Sequence, residues 1–463
     1  MRVAKSSIHA RARAVPELNF EDQQLTSLGG LVVFQELFSA LDLAGHLKSC
    51  CQSIGGKAGR FYSHGKLLQC LIVHLLLGYR KLRDMDFYRD DPLVGHVLGL
   101  KRLPSVPTVS RMLREFDAQS VARQGELNRN LVLSRLADEN FRRVTIDFDG
   151  SVLSTKRRAE GAAVGFNKRK KGARSYYPLF CTVAQSGQIL DHLHRSGNVH
   201  DSNGALEFVR QCVAEVRAAL PGVSIEMRLD SAFFSDAMIR LAEELGVEYS
   251  ISVPFERFVE LKKMIEARDF WWPTRGTGGR GAHFEQRWKP KSWQSAARFL
   301  FVRTRTEVQR KEPVQLDLFE PREENHEYKV IVTNKRGGAG SVVRYHEGRG
   351  YQEKIFAEVK GHAQMDYIPA RHRCANQAYL LCSIMAHNLS RELQMRVSAP
   401  HRGQTLGRTV RWAFEELSTL RRTIIQRAGR LTRPQGKLTL TLGANRHVQA
   451  AIERFLAPQA VNL

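Results

Sequence analysis

Residues 144–151 read VTIDFDGS and residues 224–234 read SIEMRLDSAFF. In each, apolar residues alternate with polar ones, and the run stops at an aspartate, Asp149 or Asp230, followed by small residues. A period of two ending on small residues predicts a strand that delivers a carboxylate to the end of a sheet. The segments PLFCTVA (178–184), QILDHLH (188–194) and EYSISV (248–253) predict three more strands. Between them, residues 204–220 place Ala205, Leu206, Val209, Cys212, Val213, Val216 and Leu220 on one helical face, and a second helix is expected from 235 to 245. Three strands, a helix, a strand, a helix and a strand make a mixed α/β layer architecture.

The flanks read differently. Over residues 20–135 the apolar positions recur at helical spacing, as in Leu28, Leu31, Val32, Phe34, Leu37, Phe38 and Leu41, or Leu67, Leu68, Leu71, Ile72 and Leu75. Within LPSVPTVSRMLREFD (103–117), a helix starting near Thr108 and Ser110 would carry Arg111 outward. It suits a DNA recognition element, or equally an ordinary surface helix of a bundle. Residues 254–340 hold a glycine-rich run, two strand-like runs (298–303 and 328–333) and four of the five tryptophans, Trp271, Trp272, Trp288 and Trp293. This stretch is read as a β-rich insertion. Helices are expected at 344–359 and 376–393. The expected organisation is an all-helical, DNA-binding N-terminal region (1–140), a first core segment (141–253), the insertion (254–340), a second core segment (341–395) carrying the helix of Glu353, and a basic C-terminal region (396–463).

Composition narrows the function. The 463 residues include 71 Lys+Arg against 47 Asp+Glu, a formal charge of +24. Such a surplus repels itself in a compact chain unless a polyanion is the partner. Seven cysteines with no CxxC pair argue against a disulfide framework or zinc site and for a reducing, cytoplasmic compartment. The longest apolar run, 67–79, contains Gln69 and His74 and is shorter than the ~18 residues of a membrane span. The basic N-terminus has no apolar signal-peptide core after it. The skew of the tail towards Arg402, Arg408, Arg411, Arg421, Arg422, Arg427, Arg430 and Arg433 suggests a phosphate-facing surface, or a solvated basic face.

Two carboxylates at the carboxyl ends of strands stand where ligands bind in α/β sheets. On adjacent strands they would repel each other, a repulsion that divalent cations relieve. Asp147, two residues before Asp149 and on the same face of the strand, is a second-choice ligand. A third acid, Glu353, lies four residues after Arg349 and seven before Lys360, so all three share one helical stripe. Such a stripe is either a solvated row of ion pairs or a metal-binding glutamate flanked by phosphate-holding cations.

The order strand–Asp149, strand–Asp230, helix–Glu353 resembles the DDE transposases of bacterial insertion sequences, in the group with a Tyr-Arg-Glu-Lys signature and a β-strand insertion before the glutamate. The counterparts are Tyr345, Arg349, Glu353 and Lys360. The Arg-to-Glu and Glu-to-Lys gaps match, whereas Tyr345 precedes Arg349 by one residue more than is usual. The resemblance spans roughly residues 141–393. It implies a ribonuclease H-like mixed sheet with flanking helices and a catalytic set of Asp149, Asp230 and Glu353 holding two Mg²⁺ or Mn²⁺ ions. Hard oxygen ligands suit those ions. Two ions clamp the attacking and leaving oxygens of an in-line displacement. The reaction implied is cleavage at the element's ends followed by joining of the 3′-hydroxyls to target DNA. Arg349 and Lys360 would hold phosphates, with Tyr345 beside them. Lys156, Arg157, Arg158, Lys168, Arg169, Lys170 and Lys171, in the loop between the first two strands, would line a DNA track or else form a solvated basic loop, and Trp271 or Trp272 would stack on a base or else pack in a core or hairpin. The partners implied are the terminal inverted repeats, target DNA and a second copy of the chain when ends are paired, at the bacterial nucleoid. A metal-dependent nuclease that cuts without joining, or a non-catalytic DNA-binding regulator, remains open at this level.

Overall fold

The computed structural model describes residues 16, 18–21, 23–55, 61–156, 158–165, 167, 170–200, 203–274, 281–305, 326–401 and 410–457. The expectations for Arg157, Lys168, Arg169, Arg402 and Arg408 lie outside the described residues, as does most of the glycine-rich run.

Among the described residues, the N-terminal part has a short strand, β1 (Leu25–Thr26), and six α-helices: α1 (Val32–Ala40), α2 (Leu43–Cys50), α3 (His64–Leu76), α4 (Pro92–Leu98), α5 (Val106–Leu113) and α6 (Ala118–Asp138). Capping side chains set several of their starts. Ser63 accepts from the Lys66 amide, Asp91 from Leu93 and Val94, and Asp117 from Ser120. Helix α5 starts earlier than expected, because Ser105 is the cap and Pro107 fits the first turn.

A nine-stranded sheet follows. It comprises β2 (Arg143–Gly150), β6 (Leu179–Val183), β7 (Gln188–Leu193), β8 (Ser224–Leu229), β9 (Glu248–Ser252), β10 (Trp272–Pro273), β11 (Gly281–Trp288), β12 (Ala297–Arg305) and β13 (His326–Thr333). A separate small sheet is made by β3 (Leu153–Thr155), β4 (Ala163–Val164) and β5 (Arg174–Tyr176). The large sheet runs β10-β11-β12-β13-β9-β8-β2-β6-β7, with β2, β8 and β9 parallel and the other neighbours antiparallel. Its helices are α7 (Ala205–Ala219), α8 (Asp236–Glu244), α9 (Val259–Glu266), α10 (Ala339–Glu347), α11 (Gly350–His362) and α12 (Arg373–Arg396).

Alternation in the strands decides what covers each face. Val144, Ile146, Phe148, Ile225, Met227, Leu229, Tyr249 and Ile251 are buried in one cluster with Phe208, Val209, Val213, Met238 and Leu241 of α7 and α8. Phe180 and Ile189 point the other way, into a cluster that contains Phe356 of α11, much of α12 and the apolar faces of the N-terminal helices. The edge strand β7 is covered. Asn388 of α12 accepts from the Ile189 amide at 2.9 Å and donates to its carbonyl at 2.8 Å, while Asn128 of α6 donates to the same carbonyl at 3.1 Å. Those bonds satisfy an edge that would otherwise invite pairing.

The stretch read as a β-rich insertion is built of strands that extend the central sheet: Ser250, Ile251 and Ser252 of β9 pair with Thr333, Val332 and Ile331 of β13. Three other expectations need correction. The region after Asp149, read as a basic loop, contains the small sheet. The N-terminal region is not all-helical and is tied to the C-terminal one. There α13 (Leu417–Leu420), β14 (Gly429–Thr432), β15 (Thr439–Leu442) and α14 (Arg446–Leu456) return, and β1 pairs with β14. In that basic tail Arg421 is not a phosphate-facing side chain. Its guanidinium is turned inward and donates to the Leu75, Leu76 and His362 carbonyls.

Candidate active site

Asp149 is the penultimate residue of β2, and Asp230 follows β8. The two strands are parallel and in register, with Asp147 opposite Arg228 and Phe148 opposite Leu229. The next residues on each strand are therefore the two aspartates, on chains roughly 4.8 Å apart. Asp149 Oδ1 accepts from the Gly150 amide at 2.7 Å. Asp230 caps a short 3₁₀ turn (Ser231–Phe233), accepting from Ala232 at 3.0 Å. Both carboxylates are thus oriented by the backbone just past the strand end.

Glu353 reaches the same rim from the helical layer. The single helix expected over 344–359 is two helices, α10 and α11, with Gly348 and Arg349 at the break. Arg349 still has helical φ and ψ, so its stripe with Glu353 and Lys360 survives. Arg349 Nη1 lies 3.3 Å from Asp149 Oδ2 and Nη2 lies 3.9 Å from Glu353 Oε1. The guanidinium joins the first strand's carboxylate to the helix glutamate, whose side chain is 68% exposed. Lys360 Nζ donates to the Val152 carbonyl at 3.2 Å, one helical stretch further along the rim. Among the described residues, no three acidic, imidazole or thiol groups stand close enough to grip an ion as they are placed.

The face below these carboxylates is polar and buried. Burial pushes the Asp147 carboxyl above its ordinary range, and the Arg228 guanidinium pulls it back. Arg228 Nε and Nη2 lie 2.6 and 2.7 Å from the two Asp147 oxygens. Asp147 is therefore corrected as a candidate metal ligand, because its carboxylate is already committed to a buried guanidinium. One rung lower, Thr145 donates to Glu226 at 2.8 Å, and Arg143 and Lys335 both bind Glu226 and Glu248. Above them His346 makes bonds of 2.9 and 2.8 Å with Ser250 and Ser252, and burial pushes its pKa down to about 3, so it stays neutral.

Other expected contacts fall in different places. The Tyr345 ring packs against Arg228 and Lys335, and its hydroxyl is buried with no hydrogen-bond partner among the described residues. That inward position corrects its expected place beside a phosphate. Trp271 is also inward: it is buried against Phe284 and Tyr328 with Arg303 over its ring, which corrects it as a stacking platform. Trp272 is 57% exposed at the sheet edge, beside Phe270. Lys156 and Arg158, just after β3, and Lys170 and Lys171, shortly before β5, are exposed on the small sheet. Arg111 is exposed on α5. Arg228, Gly348 and Gln352, which shape the site, were not among the expected residues. The signal for Arg228 was in the strands: it stands two residues before Asp230, as Asp147 stands two before Asp149.

No helix among the described residues is long and apolar enough to cross a membrane. None of the curated proteins compared is similar enough to count as a relative. Among solved structures, a piggyBac transposase synaptic complex with hairpin DNA is similar at 12% identity and a TM-score of 0.44, covering 78% of this chain and 74% of that one. A Mos1 transposase paired-end complex with left transposon end matches at 15% identity and a TM-score of 0.17, over 42% of this chain and 60% of the other. A Mos1 mariner paired end complex with Mn matches at 14% identity and the same score of 0.17, over 53% and 70%. Likenesses this weak do not bear on the site. The family described as "Transposase DDE domain group 1" matches residues 9–459, nearly the whole length, and the chain belongs to that family.

Proposed function

We propose that this protein is the transposase of a bacterial insertion sequence, cutting phosphodiester bonds at the element's ends and joining the 3′-hydroxyls to target DNA. The observation that carries the reading is the register of β2 and β8, which sets Asp149 and Asp230 side by side with Arg349 reaching from one of them towards Glu353. The strand order β7-β6-β2-β8-β9, with the last three parallel, supports a ribonuclease H-like core, extended here by four further strands.

The donor set fits hard divalent ions. Asp149, Asp230 and Glu353 offer oxygen alone, and the Asp149 carboxylate already attracts a cation, the Arg349 guanidinium. These three residues would hold two Mg²⁺ or Mn²⁺ ions. When bound, such ions activate the attacking oxygen and stabilise the leaving one. The chain's own groups do the rest. Asp149 and Asp230, oriented by their backbone bonds, fix the line of attack. Arg349 and Lys360 donate to phosphate oxygens on either side of the reacting bond. Lys156, Arg158, Lys170 and Lys171 draw the duplex across the small sheet, and exposed Trp272 and Arg111 provide contacts further out. Pairing of two ends calls for two copies of the chain, acting where the DNA is, at the nucleoid.

The test uses end-labelled duplexes taken from the DNA that flanks the coding region, a supercoiled target and Mg²⁺. Labelled strand joined to target is expected. Cleavage without joining would leave a nuclease, and neither product would overturn the reading.

A further inference from the structure

We propose that Arg228, locked to Asp147, is a positioning residue that sets the break between α10 and α11 and so places Arg349 and Glu353 at the rim. The inference rests on the site reading above and deepens it.

The guanidinium is 1% exposed and uses both ends of its fork. Two of its nitrogens hold Asp147, and the third, Nη1, donates to the Tyr345 carbonyl at 3.0 Å, in the last turn of α10. Three residues later the chain comes closer still. A Cβ added to Gly348 would stand 2.1 Å from Arg228 Nη1, which is inside any real contact. The backbone of Gly348 is right-handed helical (φ −56°, ψ −18°), a conformation open to every residue. The glycine is therefore required for space, so that the helix break can lie directly on the guanidinium. On the far side of the break, Gln352 Nε2 donates to the Asp147 carbonyl oxygen at 2.9 Å. The Tyr345 ring closes the arrangement, with the Arg228 Cζ 5.4 Å and Lys335 Nζ 4.2 Å from its centroid.

Arg349 is the next residue after Gly348, and Glu353 the next after Gln352. The Asp147–Arg228 rung lies two residues before Asp149 and Asp230 on the same two strands. One buried pair thereby references the helix-borne groups to the strand-borne carboxylates. Stability alone does not explain it, since buried ion pairs are commonly neutral against well-packed apolar replacements. A planar fork that binds a carboxylate with two donors and a carbonyl with a third does explain it, and lysine would not reproduce that geometry. Arg228 reaches neither substrate nor metal in this account; it acts through Tyr345, Gly348 and Gln352.

Two variants test this, using the full chain and the flanking-DNA duplexes. In the first, Asp147→Leu and Arg228→Met are combined, removing the fork without stranding a charge. In the second, Gly348→Ala leaves every buried charge in place and pushes the break off the guanidinium. Both should remain folded with duplex affinity near wild type, lose at least about tenfold in kcat with little change in KM, and need more Mg²⁺ for half-maximal rate. Arg228→Lys should not rescue. If the paired variant fails to fold, Gly348→Ala decides. A folded variant of either kind that cleaves at the wild-type rate overturns the proposal. Asp149→Asn, assayed alongside, separates the two levels. Cleavage by Asp149→Asn would sink the site reading itself, whereas an inactive Asp149→Asn beside fully active platform variants would sink this proposal alone.

Discussion

Arg349 Nη1 lies 3.3 Å from Asp149 Oδ2, joining the start of a helix to the end of a strand 200 residues earlier in the chain. The side chains are 20% and 19% exposed, so the pair is shielded without being sealed from solvent. A guanidinium there neutralises a carboxylate that the proposed chemistry needs for metal, and it is also well placed to turn towards a phosphate.

Replacing it therefore acts in two directions. Arg349→Gln removes one cation from beside Asp149, so Mn²⁺ should bind the DNA-free protein more tightly, by up to about fivefold for a partly exposed pair. The same variant should cut DNA ends more slowly, because a phosphate donor is gone. Electron paramagnetic resonance titration of Mn²⁺ reads the first effect. Weaker binding by the variant would show that Arg349 does not oppose the metal.

Stability should fall as the medium is acidified through the histidine range. Burial pushes His74, His192 and His387 down to about 4 and His346 to about 3. Below their unfolded value of about 6.5 the unfolded chain takes up protons that the folded chain refuses, so unfolding becomes easier as pH drops. The loss runs from about pH 6.5 down to pH 4, at up to roughly 1.4 kcal/mol per pH unit for each imidazole. Urea midpoints at pH 7.5 and 5.0 check the sign. Equal midpoints would mean that these imidazoles are hydrated in the folded protein.

The two neighbouring tryptophans should part company. Trp271→Ala empties a buried site against Phe284 and should cost about 3–5 kcal/mol of folding stability. Trp272→Ala, at an exposed edge, should change it by less than about 0.5 kcal/mol. If Trp272 meets a base, its loss should weaken binding to single-stranded or frayed ends alone. Chemical denaturation and fluorescence anisotropy separate these outcomes.

Much of the core was legible because its strands alternate cleanly. The ends of β2 and β8, and with them Asp149 and Asp230, were placed to within a residue. What stayed hidden was non-local. Nothing in YKVIVT says that Thr333 pairs with Ser250, so the insertion's strands could not be assigned to the central sheet. The strands of the small sheet are two or three residues long and interleaved with lysine and arginine, too short to show a period. The α10–α11 break was invisible for a different reason. Gly348 keeps helical angles, and the guanidinium it lies against, that of Arg228, comes from a strand 120 residues earlier. Glu358 and Glu353 look alike in sequence, five residues apart on one helix. The fold buries Glu358 against Arg391 and leaves Glu353 exposed at the rim.

The most direct measurement is the anomalous scattering of Mn²⁺ in crystals of the protein bound to a duplex from its own flanking DNA. The account predicts manganese at the ends of β2 and β8, with oxygens of Asp149 and Asp230 in its coordination sphere, Glu353 turned in to join them and Arg349 moved onto a phosphate. Manganese bound away from Asp149 and Asp230, or Glu353 still pointing into solvent beside a bound metal, would contradict it.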